Sequence, residues 1–174
     1  GDITVTATFA LNEYTLTYAA GSDGSITGTT TQTVNHGSDG TAVTAVPDTG
    51  YHFVKWSDDV TTASRTDTGV TGDITVTATF ALNEYTLTYA AGANGSITGT
   101  ATQTVNHGSN GTAVTAVANE GYHFVKWSDD VTTATRTDEN VIGNISVTAE
   151  FAINTYTVTF KNWDGSELKT ETVE

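Results

Sequence analysis

A segment of thirteen residues occurs twice in this chain without a single change. Gly1 to Glu13 reads the same as Gly72 to Glu84, and a diverged version begins at Gly143. The period is 71 residues, and residues 14–84 and 85–155 differ at 16 of the 71 aligned positions. Whatever packing satisfies one copy must therefore satisfy the other, so the fold is that of one unit used twice. Residues 1–13 read as the C-terminal strand of a preceding repeat, 14–84 as repeat domain 1, 85–155 as repeat domain 2, and 156–174 as the start of a following, diverged repeat. A cut before Gly1, giving 1–71 and 72–142, fits the same period. Active sites are rarely duplicated in tandem at this identity. Arrays multiply length, avidity or stiffness instead, which points away from an enzyme.

Within one copy the patterning is that of strands. Ile74, Val76, Ala78 and Phe80 alternate with Thr75, Thr77 and Thr79. Period two puts the apolar set on one face and a threonine ladder on the other. Tyr85, Leu87 and Tyr89 alternate with Thr86 and Thr88 in the same way. Asn94-Gly95, with Asp23-Gly24 as its counterpart, predicts a tight hairpin turn. Residues 96–105 read as a single strand with a weak or bulged centre, and Ala113 to Val117 as a short strand. Tyr122, Phe124 and Trp127 mark the most aromatic stretch, which should enter the core. No segment repeats apolar residues at helical spacing for three turns. The fold class is thus mainly β: tandem small antiparallel β domains of five or six strands each, arranged as an elongated array.

A unit of this size without disulfide or metal is near the lower limit of self-sufficiency. Its core has to rest on a few large side chains. Those expected inside are Tyr51, Phe53, Trp56 and Phe80 in the first copy, with Tyr14 and Tyr18, and Tyr122, Phe124, Trp127 and Phe151 in the second. Truncating a buried Trp to Ala should cost about 3–5 kcal/mol.

Charge narrows the partners. Twenty acidic and six basic residues give a net charge of −14. Phosphate binding needs clustered Lys and Arg, so nucleic acid is excluded as a partner. Attraction to anionic lipid is disfavoured as well, and no run is long and apolar enough for membrane insertion. The chain has no cysteine, which removes disulfides, thiolate chemistry and Cys-ligated zinc together. It also has no methionine, even at position 1, and is read as a segment of something longer whose export signal and anchor lie elsewhere.

Candidate chemistry is sparse. His36, His52, His107 and His123 fall two per copy; metal binding would need them to converge with a carboxylate, and a turn histidine plus a strand-surface histidine is the plainer reading. Asp58-Asp59 and Asp129-Asp130 offer too few oxygens for calcium and read as solvated acidic turns. Lys55 and Lys126 are the only lysines of their copies. A Lys–Asn crosslink through them, or an ester involving Gln32 or Gln103, would need a buried acid beside the pair; an exposed lysine is the simpler expectation. Trp56 with Arg65, and Trp127 with Arg136, are placed for a structural cation–π contact in which the arginine covers the indole. A carbohydrate platform on the same Trp is the competing reading. No catalytic, metal or cofactor residue is singled out, and no cofactor is expected.

Several of these residues carry a family resemblance. Tyr51, Phe53, Trp56, Ser57 and Asp58, then Arg65 and Thr66, then Asp73 to Phe80, each recur 71 residues later. This pattern resembles the divergent internalin-B-type B-repeat, and the piece from Tyr156 to Leu168 is similar to the opening of the Listeria–Bacteroides repeat. The resemblance covers nearly the whole chain. It implies small β-grasp-like domains in a bacterial surface or secreted protein, and it brings no catalytic residues. The leading expectation is a structural spacer or stalk whose partners are the neighbouring repeats of the same chain. Junctions such as Phe80 to Tyr85 run strand to strand without a flexible linker, so an elongated scattering profile is expected. Two alternatives are an adhesive module for host glycan or protein, and self-association with another copy of the chain by strand addition at its ends.

Overall fold

The computed structural model describes residues 1–174 and contains strands and turns but no helix. Contacts divide it into two compact units, Gly1–Asn83 and Glu84–Glu174. In the first, seven strands follow in order: β1 (Glu13–Ala20), β2 (Gly24–Thr27), β3 (Thr31–Asn35), β4 (Val43–Pro47), β5 (Tyr51–Trp56), β6 (Ser64–Arg65) and β7 (Ile74–Leu82). The second repeats them as β8 (Glu84–Ala91), β9 (Gly95–Thr98), β10 (Thr102–Asn106), β11 (Val114–Ala118), β12 (Tyr122–Trp127), β13 (Thr135–Arg136) and β14 (Ile145–Ile153). A hairpin of β15 (Tyr156–Lys161) and β16 (Glu167–Val173) follows.

Strands β1 to β7 form two sheets, and β8 to β14 form two more. In the first unit a four-stranded sheet has the order β3-β1-β7-β5, and a three-stranded antiparallel sheet has the order β2-β4-β6. The two central strands, β1 and β7, are the first and last of the unit and run parallel, from Leu16 opposite Ile74 to Ala20 opposite Ala78. The chain therefore enters at one end of the central pair and leaves at the other. β3 and β5 flank this pair in antiparallel orientation. The β-grasp resemblance implied a helix-bearing unit; here no helix is present, and strands β2, β4 and β6 supply the second layer.

The core lies between these layers. Leu16, Tyr18, Trp56, Val76, Ala78 and Phe80 come from the larger sheet, and Val43 and Ala45 from the smaller. Along β7, Val76, Ala78 and Phe80 are buried, while Thr75, Thr77 and Thr79 are exposed, as period two requires. The Phe80 ring lies against the Cα of Gly24: a methyl group built there would stand 2.5 Å from it. Gly24 thus lets the sheets approach where any side chain would hold them apart.

A bulge explains the aromatic spacing. Phe53 pairs with Phe80 and Lys55 with Thr79, so Val54 has no partner on β7. In a regular strand, Phe53 and Trp56 would point to opposite faces. The extra residue restores them to the same side. The second unit repeats this shift between Phe124 and Lys126.

Three sequence expectations are corrected. Asn94-Gly95 does not close a hairpin: β8 pairs with β10 and β14, and β9 pairs with β11. The turn passes the chain from the larger sheet to the smaller. Residues 96–105 are two strands in different sheets, not one. Gly99, at φ +94°, ends β9, and a Cβ there would meet Ala113 O at 2.7 Å. Residues 1–12 form no strand, although their sequence is that of β7. Ile3, Val5 and Phe9 are exposed, whereas their counterparts in β7 are covered by β1, β5 and the smaller sheet.

Candidate functional site

The chemically richest place in each unit is a buried arginine. Arg65 ends the two-residue strand β6 opposite Val43, which aims its side chain into the core edge. Its side chain is only 7% exposed. Burying a guanidinium costs several kcal/mol unless its donors are met. Here they are met by two carboxylates. Nε and Nη2 donate to Asp67 Oδ2 and Oδ1 at 3.1 and 2.6 Å. Nη1 and Nη2 donate to Asp58 Oδ1 and Oδ2 at 3.0 and 2.9 Å. Forked pairs of this kind are the strong form of the ion pair.

Two aromatic rings complete the cage. Arg65 Cζ lies 5.2 Å from the Trp56 ring centroid and 5.8 Å from that of Tyr18. Trp56 is fully buried, with its indole N–H donating to Thr62 O at 3.1 Å. The Tyr18 hydroxyl donates to Asp67 Oδ2 at 2.6 Å. Tyr18, Trp56, Phe53 and Phe80 form a chain of tilted and edge-on ring contacts at centroid distances of 5.9–6.1 Å.

These contacts set the ionisation. Burial, then the bond to Asp67, pushes the Tyr18 phenol well above its ordinary value. Hydrogen bonds from Arg65, and then its charge, hold Asp58 below the usual carboxylate range. Burial works against ionisation at Asp67, but bonds from Arg65 and Tyr18 outweigh it and lower that carboxyl too. The second unit repeats the arrangement with Arg136, Asp129, Asp138, Tyr89 and Trp127.

The structure places the remaining sequence candidates as follows. Trp56, Phe80 and Trp127 are buried; Tyr51, Phe53, Phe124 and Phe151 are half-buried against the same cores, and Tyr122 is half-buried. Asp58 and Asp129 are not free in a solvated turn, because Arg65 and Arg136 take their carboxylates. Asp59 and Asp130 bind Lys55 and Lys126 at 2.6 and 2.7 Å on the surface. No three His, Asp or Glu side chains gather to hold a metal ion. His36 faces Tyr14 across 3.4 Å and His52 faces Asn83 across 2.9 Å. His107 and His123 make the equivalent contacts with Tyr85 and Asn154.

Gln32 is a loop staple. Its Nε2 donates to Thr29 O and Thr41 O, and its Oε1 accepts from Thr41 N. Gln103 does the same between Thr100 and Thr112. These partners are all backbone groups. Sequence reasoning did not single out Asp67 or Asp138. The signal was present: Arg65 is the sole arginine of its copy, and Asp67, two residues on, shares its face in an extended chain.

The arrangement satisfies itself. No buried side-chain nitrogen or oxygen lacks a hydrogen-bond partner. The carboxylates and rings that could greet a ligand are spent on the arginine. A family model for the divergent InlB B-repeat domain matches residues 14–84 and again residues 85–155. No solved structure matches the chain.

Proposed function

The chain belongs to the divergent InlB B-repeat family, and from that premise we propose that its two units are non-catalytic spacers in a bacterial surface protein, exposed outside the cell. The observation that carries this reading is the parallel pairing of β1 with β7. Tension applied along the chain pulls these strands in opposite directions along their length. It loads the ladder from Leu16–Ile74 to Ala20–Ala78 in shear, so its bonds must break together and not one at a time. β8 and β14 give the second unit the same geometry. The arginine cluster supports the reading, since Arg65 and its two carboxylates are engaged with one another inside the unit.

Single-molecule pulling between the ends of the 174-residue chain tests it. Two separate high-force events are expected, each releasing roughly 240 Å of chain. Opening of both units at low force would count against a load-bearing role. A companion screen against glycans and host proteins, using one, two and four copies, separates a spacer from an adhesin. Binding that rises with copy number would favour the adhesive reading.

A further inference from the structure

Four aspartates of the first unit are asparagines in the second: Asp23, Asp39, Asp48 and Asp73 correspond to Asn94, Asn110, Asn119 and Asn144. Two of these asparagines precede glycine, at Asn94-Gly95 and Asn110-Gly111. Their surroundings differ in the respects that govern chemistry at such a pair.

Asn110 is tied down. Its Oδ1 accepts from Asn140 N at 2.8 Å. The following nitrogen is engaged as well, with Gly111 N donating to Asp138 O at 2.8 Å. Asn94 is exposed, stands at φ +68°, and its carboxamide makes no hydrogen bond within the protein. Asn119 N donates to Asn94 O at 2.9 Å, immediately beyond the last pair of the β9–β11 ladder, Gly95 with Ala118. Gly95 opposite Ala118 is then a non-hydrogen-bonded pair, so the Gly95 N–H faces the outer edge of β9. No Cβ on Gly95 shields it.

We infer that Asn94 is a site of spontaneous deamidation, with Asn110 protected by its contacts. Gly95 N attacks Asn94 Cγ, forming a C–N bond and closing a five-membered succinimide. The bond from Cγ to the side-chain nitrogen breaks, and that nitrogen leaves as ammonia with the proton from Gly95. Water then adds to one ring carbonyl and opens the ring to aspartate or to isoaspartate. The aspartate product is already represented in this protein: Asp23 holds the same turn at φ +71°. The isoaspartate product inserts an extra carbon into the backbone beside Gly95. Gly95 has little room to shift, since a methyl group built on its Cα would lie 2.2 Å from the Phe151 ring. One form therefore adds a charge harmlessly, and the other loosens the second unit. This inference does not rest on the spacer reading.

The test is peptide mapping by mass spectrometry after warm incubation of the 174-residue chain at mildly alkaline pH, in buffer and in concentrated urea. In the folded chain Asn94 is expected to convert to both products. Asn110 should convert about ten-fold more slowly or less, because two hydrogen bonds must open first. In urea the two sites should react at similar rates. An N94D variant should melt like the fresh protein, while aged material rich in isoaspartate should melt lower. Asn94 remaining intact in the folded chain while reacting in urea would overturn the inference. So would equal rates at Asn94 and Asn110 in the folded chain.

Discussion

The Tyr18 hydroxyl donates to Asp67 Oδ2 at 2.6 Å, and the same oxygen accepts from Arg65 Nε at 3.1 Å. One carboxylate thus joins the central strand β1 to the short strand β6. The second unit keeps the relationship between Tyr89 and Asp138 at the same 2.6 Å. This shared carboxylate is the polar keystone of the core.

Removing it should be costly. Asp67→Ala with Asp138→Ala leaves each buried guanidinium half-paired, and a loss of about 3–5 kcal/mol per unit is expected. Tyr18→Phe with Tyr89→Phe removes only a hydroxyl donor and should cost about 1–2 kcal/mol per unit. Asp58 is 39% exposed, so its replacement should cost less than that of Asp67. Urea midpoints of the paired variants rank the three.

The pH dependence follows from the same cluster. Asp58 and Asp67 have folded values below their unfolded ones. Their contribution is fully present above the unfolded value of about 3.9 and is lost as pH falls through the depressed folded range. Tyr18 and Tyr89 are shifted upward. Their contribution holds below the unfolded value of about 10 and is lost as pH rises beyond it. Stability measured by urea unfolding should thus be level near neutrality and fall on both sides. The alkaline fall should disappear in the Tyr18→Phe, Tyr89→Phe chain.

Gly24 and Gly95 are expected to resist substitution for a packing reason. Gly24→Ala drives a methyl group into the Phe80 ring and should cost about 1–3 kcal/mol. Combining it with Phe80→Leu should recover part of that loss. A double-mutant cycle read by thermal unfolding checks the coupling.

Gln32 carries three hydrogen bonds in one side chain. Gln32→Leu leaves the carbonyls of Thr29 and Thr41 and the amide of Thr41 without that partner. The segments on either side of β3, at Thr29 and at Thr41, should loosen, seen as faster amide exchange there than in β7.

How far the fold was legible depends on the residue. The alternation of Ile74, Val76, Ala78 and Phe80 marked β7 and its inward face, because period two is written directly in the side chains. The parallel pairing of β1 with β7 was not legible, since alternation is the same whichever way a neighbour runs. Asn94-Gly95 carries the chemistry of a hairpin turn, yet the turn joins two sheets, because β8 finds its partners in β10 and β14. Gly99 looked like a weak point in one strand and is the break between two. The contact of Arg65 with Trp56 could be anticipated from their recurrence together. The role of Asp67 could not be, because the pairing depends on where β6 is laid against β4. Val54 shows a similar limit: the bulge that brings Phe53 and Trp56 to one face is a property of the pairing with β7.

The central claim is that one copy closes its own core around the arginine cluster. Residues 13–83 produced alone test this most directly, by urea unfolding followed through Trp56 fluorescence. The expected result is a folded monomer with a buried indole and a single cooperative transition. An isolated copy with solvent-exposed tryptophan emission and no transition would contradict the account.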